Sequence, residues 1–257
     1  MHFIREILLQ SPLLDENDRF LIRNVEGSCG VFIRTLLAKD GVPYHDELVA
    51  MAHSVMSTYR SIWMLVGAQP NEQYLDAAQR DIVTLIRKQA DALIQNLYIL
   101  NDDYENKMSE YLDFQWVERS KMLRRIDHDE TVLSQGVKES PNKAEGEKRI
   151  RVELDRIRNT RDDNFIRKPH WYSPLGLESI ASSIGLKMEY DFMVNFGHGS
   201  VHSSPLAVVG GASMRGPLVH IASIRHVMRF AKVVTHKFDL QIHSEAREVM
   251  ESLWEQL

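Results

Sequence analysis

Two histidines four residues apart, His198 and His202, lie in the segment Phe196-Gly197-His198-Gly199-Ser200-Val201-His202. On a helix this spacing puts both imidazoles on one face. Two kinds of chemistry suit such a pair. Neutral imidazoles can ligate one zinc or another transition-metal ion, given further ligands from elsewhere in the fold. A histidine titrating near neutral pH can instead carry protons to and from a reacting oxygen. Spacing alone selects neither, and in a chain with eleven histidines the plain alternative is two imidazoles bonded to backbone or carboxylates. The flanking Gly197 and Gly199 raise the segment above that background. Each costs a helix interior about 1 kcal/mol against alanine, and close approach of a ligand or another backbone is a reason to keep it.

Arg87 and Asp91 form a second constellation, again four residues apart, within a long apolar-striped stretch. Arg87 follows Leu85 and Ile86, which places it at the border of that stripe, where a guanidinium needs a partner. An intrahelical salt bridge is the simpler reading of the spacing. The functional one is a guanidinium presented to a phosphate, with the carboxylate orienting it. A third constellation, Arg215-Gly216-Pro217-Leu218-Val219-His220, resembles the Arg-x(4–6)-His motif of the higher-eukaryote-and-prokaryote nucleotide-binding ribonucleases. It departs from that motif at Gly216 and Pro217, where a polar residue usually follows the arginine. No Gly-x-x-x-x-Gly-Lys-Ser/Thr, no Gly-x-Gly-x-x-Gly and no Gly-x-Ser-x-Gly occurs, which argues against nucleotide-fuelled and serine-hydrolase classes.

The elements that must position these residues read as helices. Asp15 or Asn17 caps a first one carrying Phe20, Leu21, Val25, Phe32, Ile33, Leu36 and Leu37, which ends before Gly41-Val42-Pro43. Its interior Gly27 and Gly30 mark either close helix packing or a break. A second begins near Asp46, and the strongest periodicity runs from Glu72 to Leu100. Asn101-Asp102-Asp103 breaks it, and Tyr104 to about Leu133 forms the next helix. Residues 135–148 turn polar, with Gly136, Pro141 and Gly146, and suggest a loop at the tip of a helical hairpin. Lys148 to Asp163 is charged nearly all round; from Lys138 to Lys168 there are ten Lys or Arg against seven Asp or Glu. A solvated helix held by i,i+4 pairs is the plain reading and a nucleic-acid surface the other. Leu175 to Ile184 is a short helix ended by Gly185, Pro217 opens a last long helix, and Ser244 caps a terminal one. No sustained period-two alternation is present. The expected fold is all-α, a multi-helix bundle with long antiparallel helices and little or no strand. A single domain over 1–257 is expected, with 1–70 as an N-terminal helical subdomain in the alternative.

Composition bounds the function. A chain of 257 residues with 44% hydrophobic and 26% charged residues buries a core. The net charge of −5 gives no global reason for nucleic-acid binding, so any such binding is local. Cys29 is the only cysteine, which rules out an internal disulfide and a thiolate-rich metal site and fits a reducing compartment. Met1 to Gln10 lacks the features of a signal peptide, and no apolar run approaches the roughly 20 residues of a membrane span. A cytoplasmic protein without membrane association is expected.

Taken together, Ile86-Arg87-Lys88-Gln89-Ala90-Asp91-Ala92-Leu93, then His170-Trp171-Tyr172, Gly185-Leu186-Lys187-Met188-Glu189-Tyr190 and His198-Gly199-Ser200-Val201-His202-Ser203-Ser204 resemble the bacterial family called domain of unknown function 5677. The resemblance spans roughly residues 79–205. It implies site positions at Arg87, Asp91, Trp171, Tyr190 and His202, with His198 standing where the family favours a serine. It supplies no chemistry.

The resulting expectation is a metal-independent ribonuclease-like enzyme, in toxin or antiviral defence. His202 with His198 would move protons, Arg87 would stabilise charge on phosphorus, and Asp91 and Tyr190 would orient the others. RNA or a small phosphate-containing ligand is the expected partner, no cofactor is expected, and metal at the histidines stays open. The alternatives are a ligand- or metal-binding regulatory module and a homo-oligomerising scaffold.

Overall fold

The computed structural model describes residues 11–69, 72–129, 131–162, 164–191 and 217–256. The fold is all-α, with no strand among the described residues. Helix α1 is Glu16–Leu37, α2 His45–Gly67 and α3 Glu72–Leu100. Tyr104–His128 is α4, Val132–Lys138 is α5 and Lys143–Thr160 is α6. A 3-10 turn follows at Phe165–Arg167, then α7 at Leu177–Ser183, the single turn α8 at Lys187–Glu189, α9 at Pro217–Lys237 and α10 at Ser244–Gln256. These elements gather into two compact units, one up to Asp102 and from Leu177 onward, the other Asp103–Gly176.

The first unit starts from local signals. Asp15 caps α1 with a full capping box: Asp15 Oδ1 accepts from the Asp18 amide at 2.8 Å, and the Asp15 amide donates to Asp18 Oδ2 at 3.3 Å. Such a cap contributes about 1 kcal/mol. Gly27 and Gly30 neither break the helix nor mark close packing, since a Cβ at Gly27 would meet nothing within 4 Å. The turn into α2 uses Gly41 at φ +75° and Tyr44 at φ +53°. There the His45 ring bonds the Leu36 carbonyl at 2.8 Å, beside the Lys39 amide that donates to the same oxygen at 3.1 Å. Higher up, Arg60 Nη2 and Glu26 Oε2 join α2 to α1 at 2.9 Å.

Helices α2, α3 and α9 form the centre of this unit. Leu48, Ala52, Ile62 and Trp63 of α2, Ile82, Ile86, Leu93 and Ile94 of α3, and Val227, Phe230 and Val234 of α9 are all fully or almost fully buried. Phe32 and Phe230 meet edge to face at 6.3 Å, fixing α1 on α9. Trp254 anchors α10, with His236 at 5.4 Å and the Lys232 ammonium 5.7 Å from its ring centre. Residues up to 70 do not stand apart, because α1 and α2 belong to the same unit as α3.

In the second unit α6 packs on α4 through the buried Leu154 and Ile157. The charge-rich helix is therefore amphipathic rather than solvated all round. Asp113, only 5% exposed, receives Arg156 Nη2 at 2.5 Å and Arg161 Nε at 2.8 Å, and Arg161 also donates to Ser109 Oγ at 2.6 Å. Phe114 meets Phe165 at 6.0 Å and Tyr111 meets Trp171 at 5.6 Å, so the tryptophan is a packing residue here. The expected continuous helix to Leu133 ends instead at His128, and the polar stretch 135–148 is not one loop. Thr131 caps a new helix by accepting from the Ser134 amide, and only residues 139–142 separate α5 from α6.

Candidate functional site

Arg87 and Asp91 project from the middle of α3, one turn apart and both half-buried. The intrahelical ion pair that their spacing favours is not closed. Arg87 Nη1 and Asp91 Oδ1 are buried, and neither has a hydrogen-bond partner among the described residues. Burial pushes the Asp91 carboxyl above its usual range, and the positive charge of Arg87 offsets this only in part. The guanidinium therefore keeps bonding capacity for an outside acceptor, beside a carboxylate whose negative charge is disfavoured by its surroundings.

Tyr190 follows α8, which is held from two sides. Arg229 of α9 pairs with Glu189 at 2.6 Å and reaches the Gly185 carbonyl at 3.4 Å. Gly185 adopts φ +70°, a conformation that a side chain would strain. Lys187 pairs with Glu178 of α7 at 2.9 Å and with Asp191, and its ammonium lies 5.5 Å from the Tyr190 ring centre. Those two carboxylates hold the lysine above its ordinary pKa.

Lys237 Nζ donates to the Asn101 carbonyl at 3.1 Å, so α9 and α3 finish at the same end of the bundle, and α7, to which Lys187 ties α8, packs on α3. His198 and His202 lie outside the described residues, as does Arg215; the backbone of His220 belongs to the first turn of α9, and its side chain is not described. Of the five expected site residues, Arg87, Asp91 and Tyr190 are among the described residues.

Other buried polar atoms without a protein partner occupy α3 and α9: both amide atoms of Gln89, Ser223 Oγ, His226 Nδ1 and Thr235 Oγ1. Burial, reinforced by Arg225 and Arg229, pushes the His226 pKa down to about 3. The signal for both was present in the sequence, as polar residues within apolar stripes, Gln89 between Ile86 and Leu93 and His226 between Ile224 and Val227. Among the described residues no group of three His, Cys, Asp or Glu side chains is placed to hold a metal ion, and no helix is long and apolar enough to cross a membrane.

A family model described as Family of unknown function (DUF5677) matches residues 48–211, wider at both ends than the 79–205 of the motifs. No curated protein and no solved structure matches the chain.

Proposed function

From this chain's membership of the family of unknown function DUF5677, with Arg87 and Asp91 inside the matched region, we propose that it cleaves RNA without a metal ion at a composite site. The observation that carries the reading is the buried guanidinium nitrogen of Arg87 that has no partner. A buried donor left unmade costs about 1 to 3 kcal/mol, more when charged, and a phosphoryl oxygen removes that cost. His202 takes the proton of the 2′-hydroxyl, and the freed oxygen attacks phosphorus. The 5′ oxygen leaves with a proton supplied by His198, giving a 2′,3′-cyclic phosphate and a 5′-hydroxyl. Arg87 neutralises charge as it builds on the phosphoryl oxygens, and Asp91 and Tyr190 orient the guanidinium and the substrate. A role in toxin or antiviral defence belongs to the same proposal.

Purified protein is incubated with end-labelled RNA in the presence of a chelator. Wild type yields cyclic-phosphate ends, while His202→Ala and Arg87→Gln lose cleavage. Cleavage retained in His202→Ala, or abolished by the chelator alone, overturns the mechanism. Phosphate-ligand binding lost in Arg87→Gln, with no cleavage by wild type, would leave the ligand-binding module in its place.

A further inference from the structure

We propose that one face of α4 docks the phosphate backbone of an RNA strand; the inference deepens the reading above and rests on it for the identity of the polyanion. Lys121, Arg124, Arg125 and His128 stand at i, i+3, i+4 and i+7, so they form one stripe about 10 Å long. They line a shared open groove, with Asp129 at its end. Arg125 and His128 fall in the last turn, where cations complement the helix dipole. That effect fades within a turn and does not account for Lys121 or Arg124.

Of the described carboxylates beside the stripe, Asp127 is paired with another cation, while Asp129 keeps its charge at the end of the stripe. Asp129 accepts from the Thr131 amide and hydroxyl at 3.1 and 3.0 Å. Asp127 pairs with Lys143 at 2.9 Å. Glu118 pairs with Lys121 at 3.1 Å. Arg124 and Arg125 are exposed and make no ion pair among the described residues. Lys121 Nζ also donates to the Lys168 carbonyl at 3.0 Å, which brings the exposed Arg167 and the half-buried Lys168 to the head of the stripe. Exposed guanidiniums along an open surface, without ion pairs among the described residues, fit a chain of phosphates, to which arginine bonds through two nitrogens at once. A membrane surface fits less well, because every position of the stripe is polar and no apolar side chain in it could insert between lipids.

The test measures binding apart from cleavage, using full-length His202→Ala and a fluorescent single-stranded RNA over a range of salt. The same protein with Arg124→Gln and Arg125→Gln is expected to bind roughly tenfold more weakly, with a log–log salt slope shallower by about 1.4, two phosphates' worth. Both arginines are exposed, so the fold is retained, with only the small loss in helix stability that removing Arg125 from the last turn brings. Equal affinity and slope in the two proteins overturn the proposal. So does displacement of the RNA by phosphatidylserine vesicles with the same sensitivity to the two substitutions. Binding that behaves as expected in a protein that never cleaves RNA keeps the docking face and removes the mechanism above.

Discussion

Acidification from pH 7 to pH 5 destabilises this protein through one buried imidazole. His226 is 3% exposed on α9, and its Nδ1 bonds nothing. Its pKa is pushed from the ordinary 6.5 to about 3, first by burial and then by the neighbouring charges of Arg225 and Arg229. A histidine with a depressed folded pKa contributes its full share of stability above the unfolded pKa. That share is lost as pH falls, because the unfolded chain takes up a proton that the folded one refuses. Each pH unit within the window from 6.5 to about 3 removes about 1.4 kcal/mol, so the fall from pH 7 to pH 5 removes about 2 kcal/mol. Against a total stability of about 5–15 kcal/mol, this is a large fraction. Urea denaturation of wild type and His226→Leu at pH 7, 6 and 5 isolates the effect, since the remaining groups titrate alike in both. The leucine variant, which buries no unpaired nitrogen, is expected to be at least as stable at pH 7 and to gain about 2 kcal/mol on wild type by pH 5. A change in the difference below about 0.5 kcal/mol over that range would refute the account of a buried neutral imidazole.

Further outcomes follow from particular residues. Gly27→Ala, exposed on α1 with open space around its Cβ, should raise stability by about 1 kcal/mol and the melting temperature by about 2–4 °C. Asp113→Ala takes the shared carboxylate from Arg156 and Arg161, while Arg156 keeps Glu153, and should cost about 1–3 kcal/mol, with hydrogen exchange rising first in α4 and α6. Asp91 has a folded pKa above its unfolded one, so its contribution is best below the unfolded value and is lost as pH rises through the folded one. Asp91→Asn should therefore gain on wild type between pH 4 and pH 7 in denaturant midpoints, and a gain in the opposite direction would contradict the burial of that carboxyl.

What the sequence determined by itself is local. The capping box at Asp15, the stripe from Glu72 to Leu100, the break at 101–103 and Pro217 at the start of α9 each depend on residues within a turn or two of one another, and the helices form there. The all-α class and the family followed from the same local patterns. The cap at Thr131 was less legible, because Thr131 signals a cap only once Asp129 and Ser134 are seen to bond to it. Tertiary structure alone decided which polar groups find partners. Arg87 and Asp91 have the spacing of an ion pair, yet rotamer and burial leave Nη1 and Oδ1 apart, and no intrahelical rule reports that. Asp113 draws its arginines from 43 and 48 residues away, and His226 loses its proton because the surrounding helices remove water from it. Helix formation is governed by neighbours along the chain, whereas charge state and bonding are set by what folding brings across it.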